Sequence, residues 1–228
     1  MRKLITAAFL SLDGIMQAPG GPLEDPTGGF PHGGWIVPHA GEATSAAIGA
    51  LFAQPFELVL GRRTYDIFAA YWPYFPTDPA APDFSAGGAR IAAAFNRTVK
   101  HVATHRPDSL TWQNSRSLGT DVVATVHTLK QQDGPALLTQ GSADLVQTLS
   151  AADLIDEYRL QIFPVMLGRG IRLFGDRSAP GALTMTAAMI APNGVIIATY
   201  ERAGAVRTGS FAGDTPSAAE RERRRALD

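Results

Sequence analysis

The chain opens on an apolar run, "KLITAAFLS", that breaks at "LDG". Its length and alternation predict a first strand from about Lys3 to Ser11. Stretches of strand-like and helix-like pattern then alternate. "GEATSAAIGALFAQ" predicts a small-residue helix, "FELVLG" a strand, "RRTYDIFAAYW" and "GGARIAAAFN" helices, and "TVKHVATH" a strand. "DVVATVHTLKQQDG" is rich in β-branched residues that favour a strand. Val122, Val126 and Leu129 nevertheless share one helical face, so a helix is expected. The run from Pro135 to Met166 reads as a strand, a Gly-Ser turn, a helix from about Ala143 to Ala151, and a strand from about Glu157 to Met166. "ALTMTAAMIA" and "GVIIATYERA", parted by "PNG", predict a hairpin.

This order predicts an α/β fold: a mixed, mainly parallel central sheet flanked by helices, with a C-terminal antiparallel hairpin. Residues 1–203 are expected to form one domain, and residues 204–228 a polar tail that is frayed or a short exposed helix.

One long stretch fits no regular element. "IMQAPGGPLEDPTGGFPHGGWIVPHAG" has turn formers between every apolar pair, yet carries Phe30, His32, Trp35 and His39. Aromatic residues in such a loop can fold over a ligand and shut out water, or pin the loop onto the core, and the two uses can coexist.

Composition acts mainly by exclusion. The 228 residues, 45% of them hydrophobic, suffice for one substantial core. A formal net charge of -1 gives no global attraction to nucleic acid or an anionic membrane, and neither is expected as a partner. There are no cysteines, which excludes disulfides, thiolate nucleophiles and cysteine-based metal sites. No apolar run approaches the roughly 18 residues that span a bilayer. "MRKLITAAFLSLDG" has a basic tip, but its apolar stretch is brief and "SLDG" stands where a small-residue cleavage site would be. A cytoplasmic protein is therefore expected. His101 and His105 lie four apart on a predicted strand, which is no chelating spacing, and no metal site is expected.

Two turns carry candidate chemistry. "LVLGRRTYDIF" and "ALLTQGSADLVQTL" each run from an apolar strand through a glycine and polar residues into a helix. In open α/β sheets ligands gather at the carboxyl ends of strands, where such turns lie. The glycines Gly61 and Gly141 let backbone approach a ligand, the helix starts offer N–H groups to an anion, and Thr64 and Ser142 add hydroxyls. A helix start repels further cations, so Arg62 and Arg63 there make sense if a phosphate completes the site, or if they are solvated surface residues. Thr104, His105 and Arg106, ending the strand "VKHVATH", suit an extra 2′-phosphate. Neither the G-x-G-x-x-G nor the G-x-x-x-x-G-K-[ST] pattern occurs, so the site would be built differently from either.

At these residues the chain resembles the dihydrofolate reductase-like superfamily, in the branch related to the reductase domain of the bifunctional riboflavin-biosynthesis deaminase–reductase. "SLDG", "GRRTYDIF" and "GSADLVQTL…DLIDEYRLQIFPVMLGRGIRLF" carry the resemblance, over roughly residues 3–201. It implies NADPH as hydride donor, a small-molecule substrate and a homodimer. By motif it implies that Gly61, Arg62, Arg63 and Thr64 hold cofactor phosphates. Thr104 and His105 would lie near the adenosine 2′-phosphate, and Gly141, Ser142, Ala143 and Asp144 would wrap the pyrophosphate. Ile15 and Gln17 would border the nicotinamide. Two departures stand out. The acid that grips the pterin in folate enzymes would fall near Ser45, where only Glu42 is acidic, which argues against folate reduction. The deaminase signature H-x-E…P-C-x-x-C is absent.

Asp13, at the end of the first strand, is the candidate for proton supply or substrate binding, although Asp-Gly is also a common turn pair. Trp35, Tyr65, Trp72 and Phe163 are candidates to stack on a flat heterocycle or to pack the core. The expected function is an NADPH-dependent reductase of a small heterocyclic (pteridine- or pyrimidine-like) or carbonyl substrate. The alternatives are a non-catalytic NADPH- or nucleotide-binding dimeric module and a flavin or pterin carrier.

Overall fold

The computed structural model describes residues 1–175, 178–211 and 215–227. Its strands are β1 (Leu4–Ser11), β2 (Phe56–Gly61), β3 (Lys100–Ala103), β4 (Ser115–Ser117), β5 (Ala136–Gln140), β6 (Glu157–Phe163), β7 (Leu183–Ile190) and β8 (Ile196–Arg202). The helices are α1 (Glu42–Ala53), α2 (Arg62–Tyr71), α3 (Ala86–Arg97), α4 (Val122–Gln131), α5 (Ala143–Ala151) and α6 (Ala218–Arg225). The strands form one sheet in the order β4-β3-β2-β5-β1-β6-β8-β7. The pairs from β4 across to β6 are parallel, and β6–β8 and β8–β7 are antiparallel. The mixed α/β architecture with its C-terminal hairpin is the one expected from the sequence pattern.

Strand β1 is buried on both faces, as a central strand between two helical layers must be. Leu4, Ala8 and Leu10 pack with Val126 of α4 and with Val146 and Leu149 of α5. Ile5 and Ala7, alternating with them, pack on the opposite face with Tyr65 of α2 and Phe95 of α3. A third cluster gathers Ile15, Phe30, Trp35 and Phe163 beyond the carboxyl end of β1.

The ambiguous segment is helical because Asp121 caps it, accepting from the Ala124 N–H at 2.9 Å. Strand β6 stops at Phe163, short of the expected Met166, because Pro164 has no N–H for the ladder. Strand β4 was not expected: three polar residues pair with β3 and carry no apolar alternation. In the tail, α6 is a short exposed helix with Ser217 accepting from the Glu220 N–H.

Candidate functional site

Strands β2 and β5 are parallel neighbours, so their two glycine turns lie side by side at the carboxyl end of the sheet. The turns are laced together. The Gly61 N–H donates to Ser142 Oγ at 2.9 Å, and the Ser142 N–H donates to Thr64 Oγ1 at 3.0 Å. Each hydroxyl thus accepts from backbone while its own O–H can still donate to a ligand. Gly141 (φ +75°) and Ser142 (φ +63°) are both left-handed, which bends the chain sharply into α5. A Cβ at Gly141 would stand 3.1 Å from the Thr64 side chain, so any side chain there would crowd Thr64. Neither α2 nor α5 has a side-chain cap, so the first-turn N–H groups of both helices gather at this junction.

The two arginines diverge. Arg62 Nε donates to both carboxylate oxygens of Asp66, at 2.8 and 2.9 Å, and Asp66 raises the guanidinium's pKa further. Its Nη1 reaches Ser109 Oγ at 2.5 Å and Thr104 Oγ1 at 3.3 Å. Arg62 therefore ties the β2 turn to the segment after β3, and brings Thr104 beside it. Arg63 turns toward the long loop, with Nη1 3.3 Å from Thr27 Oγ1 and 3.5 Å from Asp25 Oδ2, and its side chain is 56% exposed. His105 is exposed next to Thr104.

The glycine- and proline-rich loop is held by Gln17. Its Nε2 donates to the Asp25 and Thr27 carbonyls, its Oε1 accepts from the Ile171 N–H, and its carbonyl accepts from Trp35 Nε1. Ile15 is fully buried, with its N–H donating to Ser11 Oγ. Asp13 is engaged as well: its carboxylate accepts from the Ser11 hydroxyl and from the N–H groups of Leu167 and Gly168 at 3.1 and 2.8 Å. Partial burial pushes its pKa up, but these hydrogen bonds outweigh that and hold it below the ordinary 3.8. No group of three His, Asp or Glu residues that would hold a metal occurs among the described residues.

The model of the RibD C-terminal domain matches residues 2–196, nearly the whole sheet. The chain belongs to that family. The YwjB protein of Bacillus subtilis is 25% identical over 173 residues, covering 76% of this chain and 83% of that one. YyaP of the same organism is 24% identical over 204 residues, covering 87% and 94%. Among solved structures, a putative riboflavin biosynthesis protein from a Shewanella species has a TM-score of 0.55 at 22% identity, covering 88% of this chain and 99% of that one. A pyrimidine reductase-like protein from Corynebacterium diphtheriae has a TM-score of 0.53 at 14% identity, covering 91% and 93%. Dihydrofolate reductase from Enterococcus faecalis, complexed with NADP(H) and an inhibitor, has a TM-score of 0.53 at 12% identity, covering 88% and 96%. These likenesses establish the dihydrofolate reductase-like fold.

In this RibD C-terminal domain the four candidate aromatics are occupied in packing. Trp35 meets the Phe163 ring edge-on at 5.5 Å, so the loop is pinned to the core. Tyr65 is buried and its hydroxyl accepts from the Trp112 N–H at 2.9 Å, while Trp72 packs on Phe95 at 5.2 Å. The open space lies elsewhere. A groove of about 320 Å³ runs between α1 and the face formed by β1, β6 and β8, and reaches Gln140, the residue before Gly141. Gln140 and Gln161, which line it, were not singled out from the sequence. The available signal was a carboxamide ending one apolar strand and another interrupting "EYRLQIF".

Proposed function

We propose that this chain is an NADPH-dependent reductase of a small heterocyclic, pteridine- or pyrimidine-like, substrate. The observation that carries this reading is the pair of interlaced turns, Gly61–Thr64 and Gly141–Asp144, with two uncapped helix starts at one junction. Such a junction suits a pyrophosphate, because it offers N–H groups and hydroxyls around a backbone that comes close. The donor set therefore fits the dinucleotide. When bound, NADPH would supply the hydride. The names of the structural neighbours, a pyrimidine reductase-like protein and a dihydrofolate reductase complexed with NADP(H), support the same class.

The chain's own residues divide the work. The Gly61 and Gly141 turns bind the phosphates. Arg62 and His105, with Thr104 between them, face the adenosine 2′-phosphate, while Arg63, on the side of the long loop, reaches the other cofactor phosphates. The loop from Ile15 to Gln17, clamped by its hydrogen bonds, borders the nicotinamide. Asp13, held ionised, fixes the Leu167–Gly168 turn over the cleft, and the proton comes from water reaching the site. A small substrate sits in the adjoining groove. The exposed apolar residues of edge strand β7, Leu183, Met185, Met189 and Ile190, are covered by a second copy of the chain.

Titration with NADPH and NADH, with displacement by 2′,5′-ADP, tests the cofactor site. The expected result is NADPH binding about tenfold or more tighter than NADH, with the preference lost in Arg62→Ala, since a charge-assisted contact is worth roughly 1.5–3 kcal/mol. Failure of both dinucleotides to bind removes the reading. Binding without oxidation of NADPH by any heterocycle tested leaves the non-catalytic module in its place. Light scattering of Met189→Lys/Ile190→Lys tests the dimer, which that variant should convert to monomer.

A further inference from the structure

The loop between β1 and α1 is fastened over residues 25–29 from three sides. Gln17 holds the Asp25 and Thr27 carbonyls, and Arg169, in the turn after β6, donates to the Gly29 carbonyl at 3.0 Å. The third fastening, Arg63, comes from the first turn of α2, beside the candidate phosphate junction. It is the loosest of the three, with Nη1 at 3.3 and 3.5 Å from its two partners.

Both groups in that contact are incompletely used. The Asp25 side chain is 9% exposed, and a buried carboxylate is costly unless its oxygens are matched. Its Oδ1 accepts from the Thr27 N–H at 3.2 Å and from the Thr27 hydroxyl at 2.5 Å. Among the described residues, Oδ2 has only the Arg63 guanidinium, at 3.5 Å. Arg63 in turn spends Nη1 alone on the loop, which leaves Nε and Nη2 to donate elsewhere. A guanidinium carries its N–H groups around a rigid plane, so it can serve a carboxylate along one edge and a phosphate along another. Arg63 is the second residue of α2, where unpaired backbone N–H groups already favour an anion. Carboxylate, guanidinium and phosphate then alternate in charge, and each anion helps to hold the cation where the other needs it.

The hydrogen bonds continue inward from there. Gln17, which holds Asp25 and Thr27, accepts from the Ile171 N–H through Oε1 and from Trp35 Nε1 through its carbonyl. Order gained at Asp25 therefore reaches the segment from Ile15 to Gln17. We propose that Asp25 is a positioning residue for phosphate binding: it holds Arg63 between the long loop and a phosphate at the α2 turn, so that phosphate binding tightens residues 17–29. The proposal rests on the cofactor site of the reductase reading, and not on any reduction taking place there. By linkage, order in the loop and affinity for the phosphate rise together.

The probe is ADP-ribose 2′-phosphate, which has every phosphate of NADPH and no nicotinamide to touch the loop directly. Hydrogen exchange across residues 17–29 is followed with and without saturating probe. In the wild type the probe should slow exchange at least about fivefold, the lower end of ordinary coupling between sites. Asp25→Asn keeps the shape and the acceptor for the Thr27 N–H but loses the charge. The probe should bind that variant at least about fivefold more weakly and, once saturating, leave its exchange unchanged. In an Arg63→Ala background Asp25→Asn should lose no further affinity, because Asp25 acts through Arg63. Arg169→Ala supplies the contrast: its free loop should exchange faster, yet the slowing by the probe should persist. Unchanged or faster exchange in the probe-bound wild type, or equal or tighter binding to Asp25→Asn, overturns the proposal and leaves the cofactor site standing. So does an Asp25→Asn loss that persists without Arg63, or a slowing that disappears in Arg169→Ala. Failure of the probe to bind removes the proposal and the cofactor site together. Slowing as expected, with NADPH oxidised by no heterocycle, keeps the proposal and removes the reductase.

Discussion

Gly61 and Gly141 each end an apolar strand and precede a helix, yet Gly141 is left-handed at φ +75° while Gly61 is extended at φ -71°. At Gly141 the backbone itself demands glycine, and a Cβ would press on Thr64 at 3.1 Å. At Gly61 neither constraint applies: the backbone is extended and a Cβ would lie 3.4 Å from Ser142 Cβ, ordinary contact distance. The same strand–glycine–helix pattern thus requires glycine in the β5 turn, by torsion and by crowding, and tolerates a side chain in the β2 turn. The two turns meet because each satisfies a backbone N–H with the other's hydroxyl.

The sharpest way to break this comparison is Gly141→Ala. A left-handed non-glycine residue costs about 1–3 kcal/mol, and the bend into α5 would be displaced. Urea denaturation should show a loss of that size, with NADPH affinity reduced more than tenfold. Next come Ser142→Ala and Thr64→Val, each removing one neutral hydrogen bond worth about 1 kcal/mol. A double-mutant cycle on the two should show coupling above about 0.5 kcal/mol; strict additivity would mean that the turns are independent. Gly61→Ala should be milder, within about 0.5 kcal/mol, and a loss matching that at Gly141 would erase the distinction.

The smallest effect concerns a third turn, Asp13–Gly14, where Gly14 is also left-handed at φ +80°. Hydrogen bonds from Ser11, Leu167 and Gly168 hold the Asp13 carboxyl below 3.8 against the opposing effect of burial. The folded state therefore takes up this proton less readily than the unfolded chain. The resulting stabilisation is complete above about pH 4 and drains away as pH falls through the folded value. Acid unfolding curves of wild type and Asp13→Asn should differ near neutrality and converge at low pH. A constant offset would mean that the carboxylate's charge plays no part.

Much of this is legible in the sequence. The shared helical face of Val122, Val126 and Leu129 pointed to α4 as a helix, and "PNG" between two apolar runs marks the β7–β8 hairpin. The turn glycines and their hydroxyl neighbours stood out in the same way. Ser109 as a partner of Arg62 and Asp25 as the partner of Arg63 did not, because both lie far along the chain and no local pattern links them. Nor did the unmatched oxygens of Gln140 and Gln161, since a carboxamide's partners depend wholly on what packs against it.

By itself the sequence determined the alternation of most elements and which turns carry polar groups. These depend on periodicity and torsional preference, which act over a few residues. Tertiary structure alone decided that β2 lies against β5, that β1 runs between β5 and β6, and that a groove opens under α1. Strand order is a matter of pairing between distant segments, and an open groove depends on how far a helix of small side chains stands from the sheet it covers.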